Sequence, residues 1–169
     1  HNPDRAYVTF TGYRRDDFRP FIYRTDDGGE SWVDLSGGLP EGPLNVVREH
    51  HENPDLLVVG SEFGVFASLD RGASWHELDG GLPTTPVHDL KIHPRENDLI
   101  IGTHGRGIHI ADLSALSALT PDALAHSWTL VAPESKVRWL GFDGSHYAYN
   151  NFAGESEPEG VAIHVLVSE

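Results

Sequence analysis

Thr25-Asp26-Asp27-Gly28-Gly29-Glu30-Ser31-Trp32 returns 43 residues later as Ser68-Leu69-Asp70-Arg71-Gly72-Ala73-Ser74-Trp75. Both stretches read Ser/Thr-x-Asp-x-Gly-x-x-Trp, and a match at that period marks an array of like units. The hydroxyl of Thr25 or Ser68 and the carboxylate of Asp27 or Asp70 can accept hydrogen bonds from backbone N–H groups a few residues on. Gly29 and Gly72 supply the positive φ that closes such a turn without a Cβ clash. Trp32 and Trp75 follow at once and are expected to drop a large apolar surface into the core. A short β-rich run lies on each side: Phe21 to Tyr23 and Trp32 to Leu35 in the first copy, Val65 to Ala67 and Trp75 to Leu78 in the second. The unit is a hairpin with a stiff tip. Local side-chain-to-backbone bonding accounts for both carboxylates, which makes them turn chemistry rather than catalytic or metal-binding groups.

Outward from the turns the cycle repeats. Leu44 to Glu49 reads as a strand, His51 to Asp55 as a turn, and Leu56 to Gly60 as a strand apolar at consecutive positions and so buried on both faces. A tight connection, Ser61 to Gly64, leads into Val65. Gly38-Leu39-Pro40 and Gly81-Leu82-Pro83 are again 43 apart. Beyond the second of these, Val87 to Ile92, Asp98 to Gly102 and Ile108 to Ala111 read as strands of a third cycle that lacks the turn motif. Before the first turn, Ala6 to Phe10 is a strand and Thr11 to Pro20 a polar, aromatic loop. Leu113 to Ala118 and Pro121 to Ala125 have helical spacing, with Thr120-Pro121 as a helix start. Four strands per unit, with a buried interior strand, predict an all-β chain of four-stranded antiparallel propeller blades with short helices and an irregular tail. A β-sandwich is second choice, because it does not explain an identical turn at a fixed offset. The blades span residues 1–37, 43–80 and 86–112, about two and a half units. Residues 113–127 form a helical connection and 128–169 a C-terminal segment.

Composition bounds the rest. The chain has 169 residues, 38% of them hydrophobic, with 18 glycines and 11 prolines, enough for a core rich in turns. A net charge of −14 argues against a nucleic-acid partner and suits basic or neutral ligands. No apolar run approaches the ~20 residues of a membrane helix. Without cysteine there is neither a disulfide nor a thiolate metal site. The eleven histidines show no helical ligand spacing, so neither a metal nor a cofactor is expected. His1 opens directly on a strand-like pattern with no leader, which reads as a piece of a longer polypeptide.

The two turns resemble Asp-boxes, the bacterial neuraminidase repeats (BNR repeats) found in sialidases, xyloglucanase-type glycoside hydrolases and the sortilin luminal domain. In this resemblance the structural positions are Thr25, Asp27, Gly29 and Trp32, then Ser68, Asp70, Gly72 and Trp75. The chain is most similar to sortilin-like or glycosyl-hydrolase BNR-repeat proteins. Gly102 to Ile108 followed by Leu119-Thr120-Pro121 resembles the end of their propeller. Leu130 to Pro133, Val137 to Trp139, Asn151 to Gly154 and Pro158 to Ile163 resemble the lead into an Ig-like domain. The resemblance implies a seven-bladed or doubled propeller, a secreted or periplasmic protein, and either a ligand-binding or scaffold module or a part of a glycoside hydrolase. It carries over no catalytic residue. The implied partners are the remaining blades, from the parent chain or other copies, and a peptide, protein or carbohydrate ligand.

In the resembling enzymes the ligand face is the one that carries the second-to-third strand connections. Here that face would gather Tyr13, Arg14, Arg15, Asp16, Asp17, Asn45, Glu62, Phe63, His88, His104 and Arg106. Arg106 lies between two glycines, where its guanidinium either grips a ligand carboxylate or bridges neighbouring blades through carbonyls. His104 is an acid or base near neutral pH, or a packed, hydrogen-bonded side chain. Glu62 with Asp16 or Asp17 is either a carboxylate pair for glycoside hydrolysis or a set of solvated loop charges, the preferred reading. Tyr13 and Phe63 suit a sugar ring or a protein surface. Two apolar faces, those of Ala6-Tyr7-Val8 and Leu99-Ile100-Ile101, are expected to face water unless further blades cover them.

Overall fold

The computed structural model describes residues 2–133, 161 and 163–167. The fold is all-β. The middle unit is a complete antiparallel blade in the order β4 (Leu44–Glu49), β5 (Leu57–Ser61), β6 (Val65–Ser68), β7 (His76–Glu77). Before it stands a three-stranded unit, β1 (Ala6–Thr9), β2 (Ile22–Thr25), β3 (Val33–Asp34), which has no counterpart of β4 among the described residues. After it come β8 (Val87–Ile92), β9 (Asp98–Thr103) and β10 (Ile108–Asp112), with no counterpart of β7 among the described residues.

The registers align the units. Val59 pairs with Phe66 in the middle blade, and Val8 with Tyr23 in the first. In the third blade Ile101 pairs with His109. Two interfaces follow from strand alternation, because side chains on alternate positions face opposite neighbours. Leu57, Val59, Phe66 and Trp75 meet Ile22 and Leu35 of the first blade. Val46, Val58, Val65 and Ala67 meet Val87, Leu90, Leu99 and Ile101 of the third. Every residue of β5 is buried, as its unbroken apolar run requires. Gly60 is the close-approach point of the second interface: a Cβ there would lie 2.7 Å from Val87 Cγ1 and 2.8 Å from Val46 Cγ1.

The two turns are built atom for atom alike. Thr25 Oγ1 donates to Asp27 Oδ1 at 2.7 Å and accepts from Gly29 N at 2.9 Å. Ser68 Oγ donates to Asp70 Oδ1 at 2.7 Å and accepts from Gly72 N at 2.7 Å. Each carboxylate then takes the next serine twice. Ser31 N and Oγ reach Asp27 at 2.9 and 2.5 Å, and Ser74 N and Oγ reach Asp70 at 2.8 and 2.6 Å. The bonds from Ser31, with that from Thr25, hold Asp27 well below the usual carboxylate range. For Asp70, burial pushes the other way, and the bonds from Ser74, Ser68 and Ala73 outweigh it, so its pKa is also lowered.

Two expectations are corrected. Trp75 is buried at 8% exposure and donates its Nε1–H to Leu35 O at 2.9 Å, but Trp32 is 45% exposed. The Trp75 ring shares a cluster with Leu57, Val59 and Phe66 of its own blade and with Ile22 and Leu35 of the blade before. Its cover comes from Leu35 at the end of the unit before, and Trp32 has no such neighbour among the described residues. Leu99 and Ile101 are buried, because they face the middle blade and Leu113 closes over the same cluster. The open face of the third blade carries Ile108 and Ile110 instead, at 74% and 68% exposure. The tail strand β12 (His164–Val167) joins no blade among the described residues. It pairs with β11 (Trp128–Val131) in a separate two-stranded sheet. The stretches Val137 to Trp139 and Asn151 to Gly154, and Pro158 to Gly160, lie outside the described residues.

The connection α1 (Ser114–Ser117) stays against the blades, and α2 (Pro121–Leu124) follows it. Asn53, itself buried, donates its Nδ2–H to Ser117 O at 2.9 Å and Leu119 O at 3.3 Å. His50 Nδ1 accepts from Asn53 N at 3.1 Å, so its proton sits on Nε2, 2.6 Å from Asn97 Oδ1. Asn97 Nδ2 continues to Ser117 Oγ at 2.8 Å. These bonds fix the helix to the two first-to-second strand turns.

Candidate functional site

The rim opposite the repeated turns is made by the second-to-third strand connections and by the links between blades. In the first connection, Tyr13–Arg15 form a 3-10 turn, and Gly12 bridges to Asp17. Phe18 O accepts from Gly42 N at 2.8 Å, which ties this loop to the link before β4. Gly42, at φ +149°, lies under the Phe63 ring, where a Cβ would come within 2.8 Å of Cε2. Loop, link and Phe63 are thereby held in one place, and Phe63 stays 52% exposed. A shallow hollow of about 740 Å³ opens beside Phe10, Tyr13, Arg14 and Asp17.

Both first strands carry a one-residue irregularity at the same repeat position, Asn45 between Leu44 and Val46 and His88 between Val87 and Asp89. A bulge re-aims the side chain it inserts. Asn45 Nδ2 donates to Glu62 Oε1 at 3.1 Å and to Val87 O at 3.2 Å, bridging two blades. The His88 and His104 rings meet at 5.0 Å between centroids. Glu62 N and His104 N make equivalent bonds, to Pro43 O at 3.2 Å and Pro86 O at 2.8 Å. The rim thus shows the same pair twice, Asn45 with Glu62 and His88 with His104.

Arg106 sits between Gly105 at φ +79° and Gly107 at φ +81°. Its backbone is fixed by Thr103 Oγ1 donating to Gly107 O at 2.6 Å and by His109 Nε2 lying 3.0 Å from Arg106 O. Its side chain is exposed. Tyr13 and Arg14 are exposed and engage one another, with Arg14 Nε donating to Tyr13 Oη at 3.2 Å and the guanidinium 5.8 Å from the ring centroid. The structure gathers Asn45, Glu62, His88 and His104. It ties Phe63 to the first loop, and it shows no hydrogen bond, ion pair or ring contact from Tyr13, Arg14 or Arg106 to that group.

Asp17 accepts from Arg19 Nε and Nη2 at 2.9 and 2.7 Å and from Arg19 N at 3.2 Å. Those bonds lower its pKa to about 2, so it stays ionised and does not serve as a proton donor near neutral pH. Among the described residues, no group of three His, Asp or Glu is gathered to hold a metal ion.

Sequence reasoning missed Ser31 and Ser74, and the carbonyl of Leu35. All had a signal in the repeat: the serines are 43 apart, and so are Leu35 and Leu78.

No family model matches the chain, and no curated protein does. Nine chains of solved structures match. One is an ancestral GH74 enzyme, similar at 20% identity with a TM-score of 0.45. The match covers 53% of this chain, and the chain spans 11% of that enzyme's length.

Proposed function

We propose that this chain is a segment of a secreted or periplasmic Asp-box propeller of BNR-repeat type, serving as a module that binds a peptide, protein or glycan on the rim of Glu62, Phe63, His88 and His104. The observation that supports this reading is the duplicated bulge. Asn45 and His88 are aimed at one rim by the same irregularity, and each meets the first residue of its blade's connection, Glu62 or His104. Arg106 and the loop of Tyr13 and Arg14 flank that rim as further candidate contacts. The net charge of −14 favours a basic or neutral ligand.

The test is a panel of basic and neutral peptides and of xyloglucan and sialylated oligosaccharides, titrated into the isotopically labelled chain. Saturable shifts confined to Glu62, Phe63, His88 and His104 are expected from at least one class. Shifts confined to the opposite rim, or none with any class, would replace the binding module with a scaffold. Release of reducing sugar from an oligosaccharide would replace it with a glycoside hydrolase.

A further inference from the structure

Two side chains that the fold leaves uncommitted stand together on the third blade. His88 and His104 are both exposed, with ring centroids 5.0 Å apart and ring planes at 41°. Among the described residues neither ring makes a hydrogen bond or an ion pair. Other histidines are held by the fold. His50 uses both ring nitrogens, on Glu52 N, Asn53 N and Asn97 Oδ1, so its stack with His51 at 4.5 Å is closed to a further ligand. His93 Nδ1 accepts from Glu96 N at 3.1 Å, and His109 Nε2 lies 3.0 Å from Arg106 O. The backbone under His88 and His104 is pinned. The bulge inserts His88 between Val87 and Asp89, which pair with Thr103 and Gly102. Val87 O takes the Asn45 Nδ2–H at 3.2 Å, and His104 N donates to Pro86 O at 2.8 Å.

We propose that His88 and His104 are two ligands of an open site for a divalent cation of the Zn²⁺ and Cu²⁺ class. Imidazole nitrogens hold such ions at about 2.0–2.1 Å, which places each ring centroid about 3.2 Å from the metal. Two rings bound about 90–110° apart around one ion, from square-planar to tetrahedral geometry, then have centroids about 4.5–5.3 Å apart. The observed 5.0 Å falls inside that range. Imidazole selects these ions over Ca²⁺ and Mg²⁺, which take oxygen ligands. A net charge of −14 raises the local concentration of any cation. Two protein ligands leave the remaining coordination positions open on the rim, as in a metal site that receives a ligand rather than one that only braces a fold. At the same repeat positions the middle blade has Asn45 hydrogen-bonded to Glu62, where the third blade has two free imidazoles.

The probe is the metal alone, so the outcome does not depend on whether the rim binds a peptide, protein or glycan. Substoichiometric Cu²⁺ is titrated into the isotopically labelled, tag-free chain, and paramagnetic broadening of the amide signals is followed. Broadening is expected first at His88, Asp89, His104 and Gly105. Zn²⁺ is expected to shift the same signals, with Ca²⁺ and Mg²⁺ leaving them in place. His88→Asn installs the residue that the middle blade carries at the same bulge, which keeps the frame. It should weaken Zn²⁺ binding, measured by calorimetry, about tenfold or more, since even the outer partners of a metal site are worth that factor. His104→Asn should do the same. Broadening that begins elsewhere in the chain, Ca²⁺ shifting the pair as Zn²⁺ does, or an unchanged Zn²⁺ affinity in the folded variants would overturn the site. The broadening map needs no substitution, so it decides the question even where a variant fails to fold.

Discussion

Replacing each repeat tryptophan by alanine separates packing between blades from packing within a blade. Trp75→Ala is expected to cost about 3–5 kcal/mol for the excised, buried indole. Leaving the Leu35 carbonyl without its donor adds about 1 kcal/mol. Trp32 is 45% exposed, and its removal leaves no closed void. Transfer of the covered half alone puts Trp32→Ala at about 1–2 kcal/mol. For a chain of this size each kcal/mol moves the midpoint by about 2–4 °C, so the two variants should melt about 10 °C apart. The assay is urea and thermal denaturation followed by far-UV circular dichroism, which does not depend on the deleted fluorophore. Trp75→Phe, which keeps most of the ring and drops the N–H, should lie between them. Costs for Trp75→Ala and Trp32→Ala that agree within error would refute the reasoning, because the burial difference would then carry no stability.

Asp70→Ala removes an acceptor of three hydrogen bonds and should cost about 1–3 kcal/mol in the same denaturation assay, with ligand binding unaltered at temperatures where the variant is folded. Binding lost at unchanged stability would make this turn functional. Burial depresses the pKa of His50, whose Nδ1 accepts two backbone N–H groups, so the unfolded chain takes up a proton first. Stability should therefore be complete above the ordinary histidine value of about 6.5 and decline as pH falls through the folded pKa. His50→Phe should flatten that part of a urea-midpoint profile measured against pH. Arg106→Ala should weaken binding of any ligand found in the titration panel more than Arg95→Ala, which lies on the opposite rim beside Glu96. Equal losses by calorimetry would remove Arg106 from the site.

The fold was readable where a residue acts on its own neighbours. Ser/Thr-x-Asp-x-Gly is a closed local circuit, and the apolar run at Leu57 has one structural meaning. The fate of Trp32 was not readable, because the same motif buries Trp75 only through Leu35, which lies 40 residues earlier. A pattern states what a side chain can cover and not whether a cover is there. Leu99 failed for the converse reason: it lies on the face turned to the middle blade, in a cluster with Val58 and Val65 that Leu113, after the last repeat, also joins. At the rim, the equivalence of Asn45 and His88 was present in the spacing, but a bulge leaves no mark in composition. Only the shifted strand register reveals it.

The Leu35–Trp75 contact also gives the array a sense of direction. In a chain made from its N-terminus, the leucine and its carbonyl leave the ribosome well before the tryptophan that seeks them. Each new blade meets a finished surface, and the loop to be closed spans about one repeat however long the array becomes. Loop-closure entropy grows with the logarithm of loop length, so this cost stays constant as units are added. Assembly by successive docking onto the previous unit is the fast route for such a topology, since few contacts wait for distant sequence.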